Sequence, residues 1–401
     1  MQRAMGMDIC FHTGRFEDAW KWTEYAKARA FSEEIRLQGL DSDATSVAPP
    51  TPNDGIIVPS AEESALLVHW TLVGDAVYLV TCRRGVEFHM FKLGISVSSV
   101  DQWCQAVIAT QEDFTDEETA EDLLSELSEL CAPLYDQAIS DPDELLILCP
   151  TATLFKIPLH AIPVKGVPLL ERNPIVYTHS FAVLDHCLRP AVPLGGFNEA
   201  GLAFMGNPTA DTPAGEHSVK TLAEHFTANC VTGNEATKQR FCSLASTTRL
   251  IHFHGHVRAH YHAKQNAMLL AHGEELKAME VFGLDLRISR PAVILIGCGS
   301  GTERLATGDE PIGFISAFLH AGASTVLATL WPISDGLSGA AFSERFYATG
   351  EGQDGSGSRQ ALDFARRLRV AALHIRAQPE TAAPYFWAGF VLYGNWKCLF
   401  A

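Results

Sequence analysis

The sequence lacks the features of membrane-spanning, secreted and disulfide-stabilised proteins. No apolar stretch approaches the roughly twenty residues that a membrane span needs, and residues 1–20 contain no hydrophobic core of a secretory signal. None of the ten cysteines forms a CxxC pair, which argues against a zinc ribbon or a disulfide framework and favours a reducing compartment. We therefore expect a cytoplasmic protein that does not bind membranes.

Basic residues are scarce relative to acidic ones. The 30 lysines and arginines stand against 47 aspartates and glutamates, so the formal net charge is −17. A surface of this sign repels polyanions, and nucleic acid is therefore not an expected partner. A hydrophobic content of 47% with a charged content of 19% instead describes a globular chain with a sizeable core.

The chain of 401 residues is long enough for two or three domains. Residues 14–40 show the apolar stripe of a helix, with an aromatic and alanine spacing that resembles the second half of a tetratricopeptide hairpin. One hairpin cannot bury its own apolar face, so it must pack on the body or on further repeats. We expect a helical segment at 1–45, a proline-rich linker at 46–61, a β-rich domain at 62–192 and a second domain at 197–401.

Strands and helices alternate in the second domain. Leu250–His254 and Ala292–Ile296 are short apolar runs typical of strands buried on both faces. Between and around them lie segments with helical spacing, including 216–226, 311–321 and 360–376. This alternation predicts an α/β fold with a mostly parallel sheet and helices on both of its faces.

A thiol follows one of these strands. Cys298 lies in the glycine-rich turn after Ala292–Ile296, and about forty residues upstream the strand Leu250–His254 ends in histidines. Open α/β sheets place their sites at the carboxyl ends of strands, and a thiol nucleophile requires a neighbouring base. A cysteine in an apolar run is more often a small buried hydrophobe, so the pattern by itself leaves both interpretations open.

Five histidines crowd the strand Leu250–His254 and the residues that follow it, at positions 252, 254, 256, 260 and 262. Alternate residues of an extended strand share a face, so three of them could point the same way. Neutral imidazoles suit zinc, and a zinc hydrolase is therefore one alternative. The nearest loop carboxylates, Asp285 and Asp309, have no recognisable ligand spacing. We expect neither a metal nor another cofactor.

Several segments together resemble the CHAT family, which comprises caspase- and separase-like cysteine peptidases often attached to tetratricopeptide repeats. They are GLAFMGNP, IHFHGHV, AVILIGCGSGTERLATGDEPIGFISAFLHAGASTVLATLWPISD, APYFWAGFVLYGNW and, upstream, DELLILCPTATLFKIPLHAI. The segment GRFEDAWKWTEYAKARAF is similar to the helix that links the repeats to the CHAT region. The resemblance implies a caspase-like three-layer fold, with the peptidase domain at 197–401 preceded by a degenerate caspase-like half at 62–192.

The resemblance also implies roles for individual residues. The nucleophile falls on Cys298, the general base on His256, and the oxyanion hole on the backbone N–H groups of Val257 and Cys298. His254 is the rival base, because Gly255 follows it and the family usually has His-Gly; Val257 after His256 is a departure. The dyad of this clan requires no third residue to orient the histidine.

Substrate preference is implied by comparison with separases, in which an acidic residue reads a basic P1 side chain. Its position falls near Gly339 here, where no acidic residue stands. Asp335 and Glu310 are therefore the candidate substrate-binding residues, with Glu303 in the same loop as Glu310. The alternative role for Asp335 is that of a helix cap.

The resulting expectation is a cysteine endopeptidase that cleaves a protein substrate and is regulated by a partner protein, for which the N-terminal helices are the candidate binding site. The first domain lacks a Cys–His pair at comparable strand ends, so we expect it only to brace the active half. The second alternative is a catalytically inactive CHAT scaffold that assembles a complex.

Overall fold

The computed structural model describes residues 2–37, 65–83, 87–108, 112–138, 144–190, 201–260, 262–305, 311–348 and 361–399. Two units divide the chain: Met1–Leu188 with Leu305–Pro311, and Arg189–Arg304 with Ile312–Ala401. The expected linker at 46–61 lies outside the described residues, and the predicted domain limits stay predictions. No helix in these ranges is both long and apolar enough to pass through a bilayer.

The first unit begins with two helices and continues into a sheet. Its helices are α1 (Gln2–Thr13), α2 (Phe16–Leu37), α3 (Val97–Trp103), α4 (Glu117–Ser125), α5 (Ala132–Ala138), α6 (Leu169–Arg172) and α7 (Phe181–Leu188). Its strands are β1 (Ala65–Val73), β2 (Ala76–Arg83), β3 (Glu87–Ser96), β4 (Leu145–Cys149), β5 (Pro163–Val164), β6 (Val167–Pro168) and β7 (Ile175–Tyr177). The main sheet runs β3-β2-β1-β4-β7, with an antiparallel meander in β1 to β3 and parallel pairing from β1 to β7.

The acidic segment after residue 112 is less continuous than its composition suggests. It forms two helices, α4 and α5, which are separated by a short 3-10 turn at Ser128–Leu130. Two buried tryptophans donate hydrogen bonds to main-chain carbonyls near this break. Trp103 Nε1 donates to Leu123 O, and Trp70 Nε1 donates to Leu130 O. Tertiary hydrogen bonds of this kind replace helical ones and are not visible in the local sequence.

The second unit contains the helices α8 (Pro213–Phe226), α9 (Lys238–Thr247), α10 (Ala278–Val281), α11 (Phe314–Ala321), α12 (Ala341–Tyr347), α13 (Phe364–Arg376) and α14 (Pro384–Trp387). The remaining strands are β8 (Leu202–Gly206), β9 (Asn229–Thr232), β10 (Leu250–His254), β11 (Val257–Arg258), β12 (Ala267–Leu269), β13 (Glu275–Lys277), β14 (Ala292–Ile296), β15 (Arg304–Leu305), β16 (Pro311–Ile312), β17 (Thr325–Thr329), β18 (Ala361–Asp363), β19 (Phe390–Gly394) and β20 (Lys397–Leu399).

The sheet of the second unit runs β19-β17-β14-β10-β8-β9. All of its strands are parallel except β19, which is antiparallel to β17. Strands β8, β10, β14 and β17 are buried along their whole length, which explains why each is an almost unbroken apolar run. The predicted α/β fold with a mostly parallel sheet is confirmed.

Two polar side chains of helix α2 bind other elements of the first unit. Glu24 Oε1 lies 2.8 Å from His69 Nε2, and Glu24 Oε2 accepts a hydrogen bond of 3.0 Å from Phe181 N. Lys27 Nζ donates to the carbonyl oxygens of Cys149 and Pro150 at 3.1 and 2.5 Å, and it lies 3.2 Å from Cys149 Sγ. These contacts join a helix resembling a tetratricopeptide element to the end of strand β4.

His69 and Cys149 are partners in the parallel register of β1 and β4. The first unit thus contains a Cys–His pair, although only Cys149 lies at a strand end. The sequence hid this pair because His69 lies in the middle of a long strand, and only the register places it opposite Cys149. The side chains of His69 and Cys149 are fully buried, and they contact Glu24 and Lys27, respectively.

The electrostatics of this cluster are those of a structural site. Burial, followed by the charge of Lys27, lowers the pKa of His69 to about 4, and burial raises the pKa of Cys149 to about 12. The thiol is therefore protonated and unreactive at neutral pH. Glu24, His69 and Cys149 offer three possible metal-ligand atoms within 4.8 Å of one another. The ammonium of Lys27 lies 3.2 Å from Cys149 Sγ, and its positive charge opposes the binding of a cation there.

The depressed pKa of His69 predicts a stability that falls on acidification. The unfolded chain binds a proton near pH 6.5, whereas the folded chain binds it only near pH 4, so stability is lost as the pH falls through this window. Between pH 7 and pH 5 we expect this residue to cost about 2 kcal/mol of the unfolding free energy. Urea unfolding of wild type and His69→Gln at both pH values measures it. Equal losses in the two proteins would contradict the prediction.

Candidate active site

The ends of strands β10 and β14 bring the two candidate catalytic residues to one edge of the sheet. His254 pairs with Ile296 in the parallel register, and Gly255 N continues the ladder by donating to Ile296 O at 3.1 Å. His256 and Cys298 each follow that pair by two residues. Cys298 is half-buried, and the His256 side chain is 37% exposed. Both therefore lie at the carboxyl edge, where α/β sheets place their sites.

The turn after β14 leaves one amide unused. Gly299 N donates to Trp331 O at 3.0 Å, Ser300 N to Gly297 O at 3.0 Å, and Gly301 N to Thr329 O at 2.7 Å. Among the residues that the structure describes, none accepts a hydrogen bond from the amide of Cys298. A fixed turn with one unpaired N–H beside a thiol has the form of half an oxyanion hole.

Gly297 allows the two strand ends to approach closely. A Cβ atom at this position would lie 2.6 Å from Gly255 O and 2.9 Å from Val257 Cγ2. Any other residue would push the Cys298 turn away from the segment that carries His256. Val257 begins the short hairpin β11–β12 and is 6% exposed. Its side chain is therefore packed inside, against Gly297.

The thiol and the imidazole are not hydrogen-bonded to each other. Cys298 Sγ lies 3.8 Å from Ile333 O, whereas His256 Nε2 lies 3.0 Å from Asp211 Oδ1. Burial, and secondarily the charge of Cys298, raises the pKa of the Tyr385 hydroxyl. Asp211 and Tyr385 were not expected from the sequence. The available signal for Asp211 was its place in the loop after β8, beside the histidine strand.

His254, the rival base, is enclosed. Its side chain is 3% exposed and its Nε2 lies 3.0 Å from Asp335 Oδ1. The ring occupies a slot between Gly215 and Gly339, where a Cβ atom on either glycine would overlap it. The slot separates this imidazole from solvent.

His252 is likewise internal, and its Nδ1 lies 3.3 Å from the hydroxyl of Tyr347. Burial, together with the charge of His254, lowers the pKa of His252. The three histidines around β10 thus have three different partners: Tyr347, Asp335 and Asp211. In the described part of the chain they do not belong to a group that could hold a metal. Within the described residues, the zinc-hydrolase alternative has no ligand set at these histidines.

Asp335 holds three elements together. Its Oδ2 accepts from Ala214 N at 2.9 Å and its Oδ1 from Gly215 N at 3.0 Å, in the first turn of α8, while Oδ1 also meets His254. Although burial opposes it, the hydrogen bonds from His254 and the two amides hold the pKa of Asp335 below its usual range. The carboxylate caps α8, which is distant in sequence, rather than its own helical turn, which Ser334 caps.

Of the other acidic candidates, the structure describes Glu303. Glu303 is buried, and its Oε1 accepts from Ser316 N at 2.9 Å in the first turn of α11. Its carboxylate is thus directed into the fold. Glu310 and Asp309 lie outside the described residues, so the role predicted for Glu310 stays a prediction.

The contacts of Asp335 predict a stability defect for Asp335→Ala. The substitution leaves two amides and one imidazole without their acceptor, at a cost of about 2–4 kcal/mol in unfolding free energy. Asp335→Asn retains one acceptor oxygen and is the matched control, with a smaller expected loss. Denaturant unfolding measures both. If Asp335→Ala unfolds like wild type, the carboxylate does not have the structural role inferred here.

Comparison with known proteins agrees with this architecture. The family model of the CHAT domain matches residues 121–395. Tetratricopeptide repeat protein 28 of Homo sapiens is 23% identical over 277 residues, covering 59% of this chain and 10% of that protein. Its Mus musculus counterpart is 24% identical over 259 residues, covering 52% and 10%. The chain thus spans about a tenth of the length of the curated relatives it matches.

Solved structures show the same fold at low sequence identity. A crystal structure of the Saccharomyces cerevisiae separase–securin complex matches with a TM-score of 0.58 and 12% identity, covering 90% of this chain and 31% of the compared chain. A second structure of that complex gives a TM-score of 0.56, with coverage of 82% and 30%. The resemblance to the CHAT family is confirmed, and because the family match extends over more than half of the sequence, this chain belongs to the CHAT domain family.

Proposed function

We propose that this protein is a cysteine endopeptidase in which Cys298 is the nucleophile and His256 is the general base. The observation that carries the proposal is the position of the two residues. The register of β10 and β14 brings a half-buried thiol and an exposed imidazole to one sheet edge, beside an unpaired amide. A cysteine kept only for packing needs neither the histidine nor the unpaired amide.

The chemical steps use these groups in turn. His256 takes the thiol proton, and the thiolate of Cys298 attacks a peptide carbonyl, forming a C–S bond. The oxyanion is stabilised by the N–H of Cys298 and by that of Val257, each contributing roughly 3 kcal/mol. His256 then returns the proton to the leaving amine as the C–N bond breaks. Water hydrolyses the thioester, which restores the thiol.

His256 is the better base for a geometric reason. It is exposed at the same edge as Cys298, and a base must reach both the thiol and the leaving group. His254 is surrounded by Gly215, Gly339 and Asp335, so a substrate cannot reach it. Accessibility therefore favours His256 as the base, although it is His254 that is followed by glycine, as is usual in the family.

The substrate is proposed to be a protein. A basic P1 side chain would need an acidic residue that is free to bind it. Asp335 and Glu303 both bind helix amides inside the fold. They are therefore poor candidates for reading a basic side chain. Glu310 is left as the acidic candidate in the loop after Cys298.

Control by a partner protein is part of the proposal. The compared separase structure is a complex with securin. In this chain, α1 and α2 expose Ile9 and Trp22, whose side chains are 44% and 57% accessible. Apolar groups on helices similar to tetratricopeptide elements could bind a regulator, and α2 is joined directly to the buried cluster at β4.

A catalytically inactive CHAT scaffold is the second candidate function. The missing hydrogen bond between Cys298 and His256 favours it, because Sγ contacts Ile333 O instead. The two candidates differ in the chemistry of the thiol. A peptidase requires that His256 activate Cys298, whereas a scaffold leaves the thiol with ordinary reactivity.

The decisive variants are Cys298→Ala and His256→Ala. We expect Cys298→Ala to abolish cleavage of a positional-scanning peptide library and His256→Ala to reduce it by at least about 100-fold, the usual contribution of a general base. Cys242→Ala is the matched control, because this half-buried cysteine on α9 lies outside the proposed site. Its turnover should equal that of wild type.

Thiol alkylation extends this test to a protein that is latent under assay conditions. At neutral pH, Cys298 should react with iodoacetamide faster than Cys242, whose pKa is raised by burial. His256→Ala should remove this advantage. Equal alkylation rates at both cysteines, unaffected by His256→Ala, together with no cleavage, would instead establish the scaffold.

A further inference from the structure

The candidate base has an acidic partner that the proposed dyad does not use. Asp211 Oδ1 lies 3.0 Å from His256 Nε2 and also accepts a hydrogen bond of 2.5 Å from Thr209 Oγ1. The hydrogen bond from Thr209 and, to a lesser extent, the interaction with His256 hold the pKa of Asp211 below its usual range. The carboxylate is therefore ionised at neutral pH and acts only as an acceptor.

The loop that carries Asp211 is fixed at both ends. It leaves β8 where Gly206 pairs with His254, and Asn207 N donates to His254 O at 3.0 Å. Asn207 Oδ1 then accepts from Thr212 N at 2.8 Å and from Thr212 Oγ1 at 3.0 Å, which closes the loop onto the start of α8. Asp211 thus stands beside His256 because β8 and β10 are neighbours.

A neutral imidazole has one N–H and one lone pair. Because the carboxylate of Asp211 can only accept, the nitrogen that faces it must carry the hydrogen, and the lone pair is left on Nδ1. A third group that orients the base in this way completes the general arrangement of nucleophile, base and orienting residue.

We infer that Asp211 is a positioning residue that holds His256 in the Nε2–H tautomer, so that Nδ1 takes the proton of Cys298. The inference rests on the proposed peptidase function and adds to it the atom that acts as base. Asp211 does not touch the reacting atoms, and its effect passes through the imidazole. Since the two side chains are 59% and 37% exposed, the effect is that of a solvent-exposed hydrogen bond to a charged acceptor, which is modest.

The test measures the tautomer directly. In protein labelled with 15N-histidine, the ring resonances of His256, assigned with a His256→Gln variant, should show hydrogen on Nε2 in wild type. Asp211→Ala should shift them towards a mixture of tautomers, and Asp211→Glu should restore the wild-type pattern. Asp285→Asn is the control, because this exposed carboxylate pairs with Arg287 away from the site. It should change nothing.

Turnover provides the second measurement. Asp211→Ala should lower kcat of peptide cleavage about two- to fivefold, with Asp211→Glu recovering part of it. If wild type cleaves and Asp211→Ala keeps both its turnover and the wild-type tautomer, the role of Asp211 is overturned while the peptidase stands. If wild type does not cleave and Cys298 shows only ordinary alkylation, the peptidase proposal fails and the role of Asp211 falls with it.

Discussion

The parallel register between β10 and β14 is the constraint on which the candidate site depends. Pairing of His254 with Ile296 determines that the residues two positions later, His256 and Cys298, follow neighbouring strand ends at one edge of the sheet. A slip of one residue would exchange the two faces of β10, placing its imidazoles where apolar side chains now pack and apolar side chains where the imidazoles now have polar partners. Gly297 maintains the close approach, because a Cβ there would meet Gly255 O.

Each unit pairs a histidine strand with a cysteine strand, yet the surroundings give the pairs opposite properties. In the first unit, Glu24 and Lys27 of α2 close over His69 and Cys149, so the thiol is buried and protonated. In the second unit Cys298 is half-buried, at the same sheet edge as an imidazole whose side chain is exposed. The two pairs consist of the same residue types. They differ in their exposure to solvent, on which the reactivity of a thiol depends.

The histidines around β10 show the same principle within one short segment. His252 and His254 are buried and contact Tyr347 and Asp335, respectively, so their ring nitrogens make contacts within the fold. His256 lies beyond the strand, where the chain leaves the sheet and polar groups from the neighbouring β8 loop can reach it. Asp335 was a candidate substrate-binding residue in the sequence. In the structure its carboxylate caps α8 and contacts the buried His254, so it has a structural role.

Local patterns in the sequence were sufficient for the alternating strands and helices, the parallel sheet, and a thiol and a histidine at neighbouring strand ends, because apolar periodicity and glycine-rich turns report on burial and chain reversal within a few residues. They were insufficient for the partners of Asp335, for the buried pair of His69 and Cys149, and for Asp211 beside His256. Each of those contacts joins residues far apart in the chain, through strand register and helix packing. Only the tertiary structure could decide them, because a carboxylate or a histidine looks the same in sequence whether it faces solvent or a buried amide.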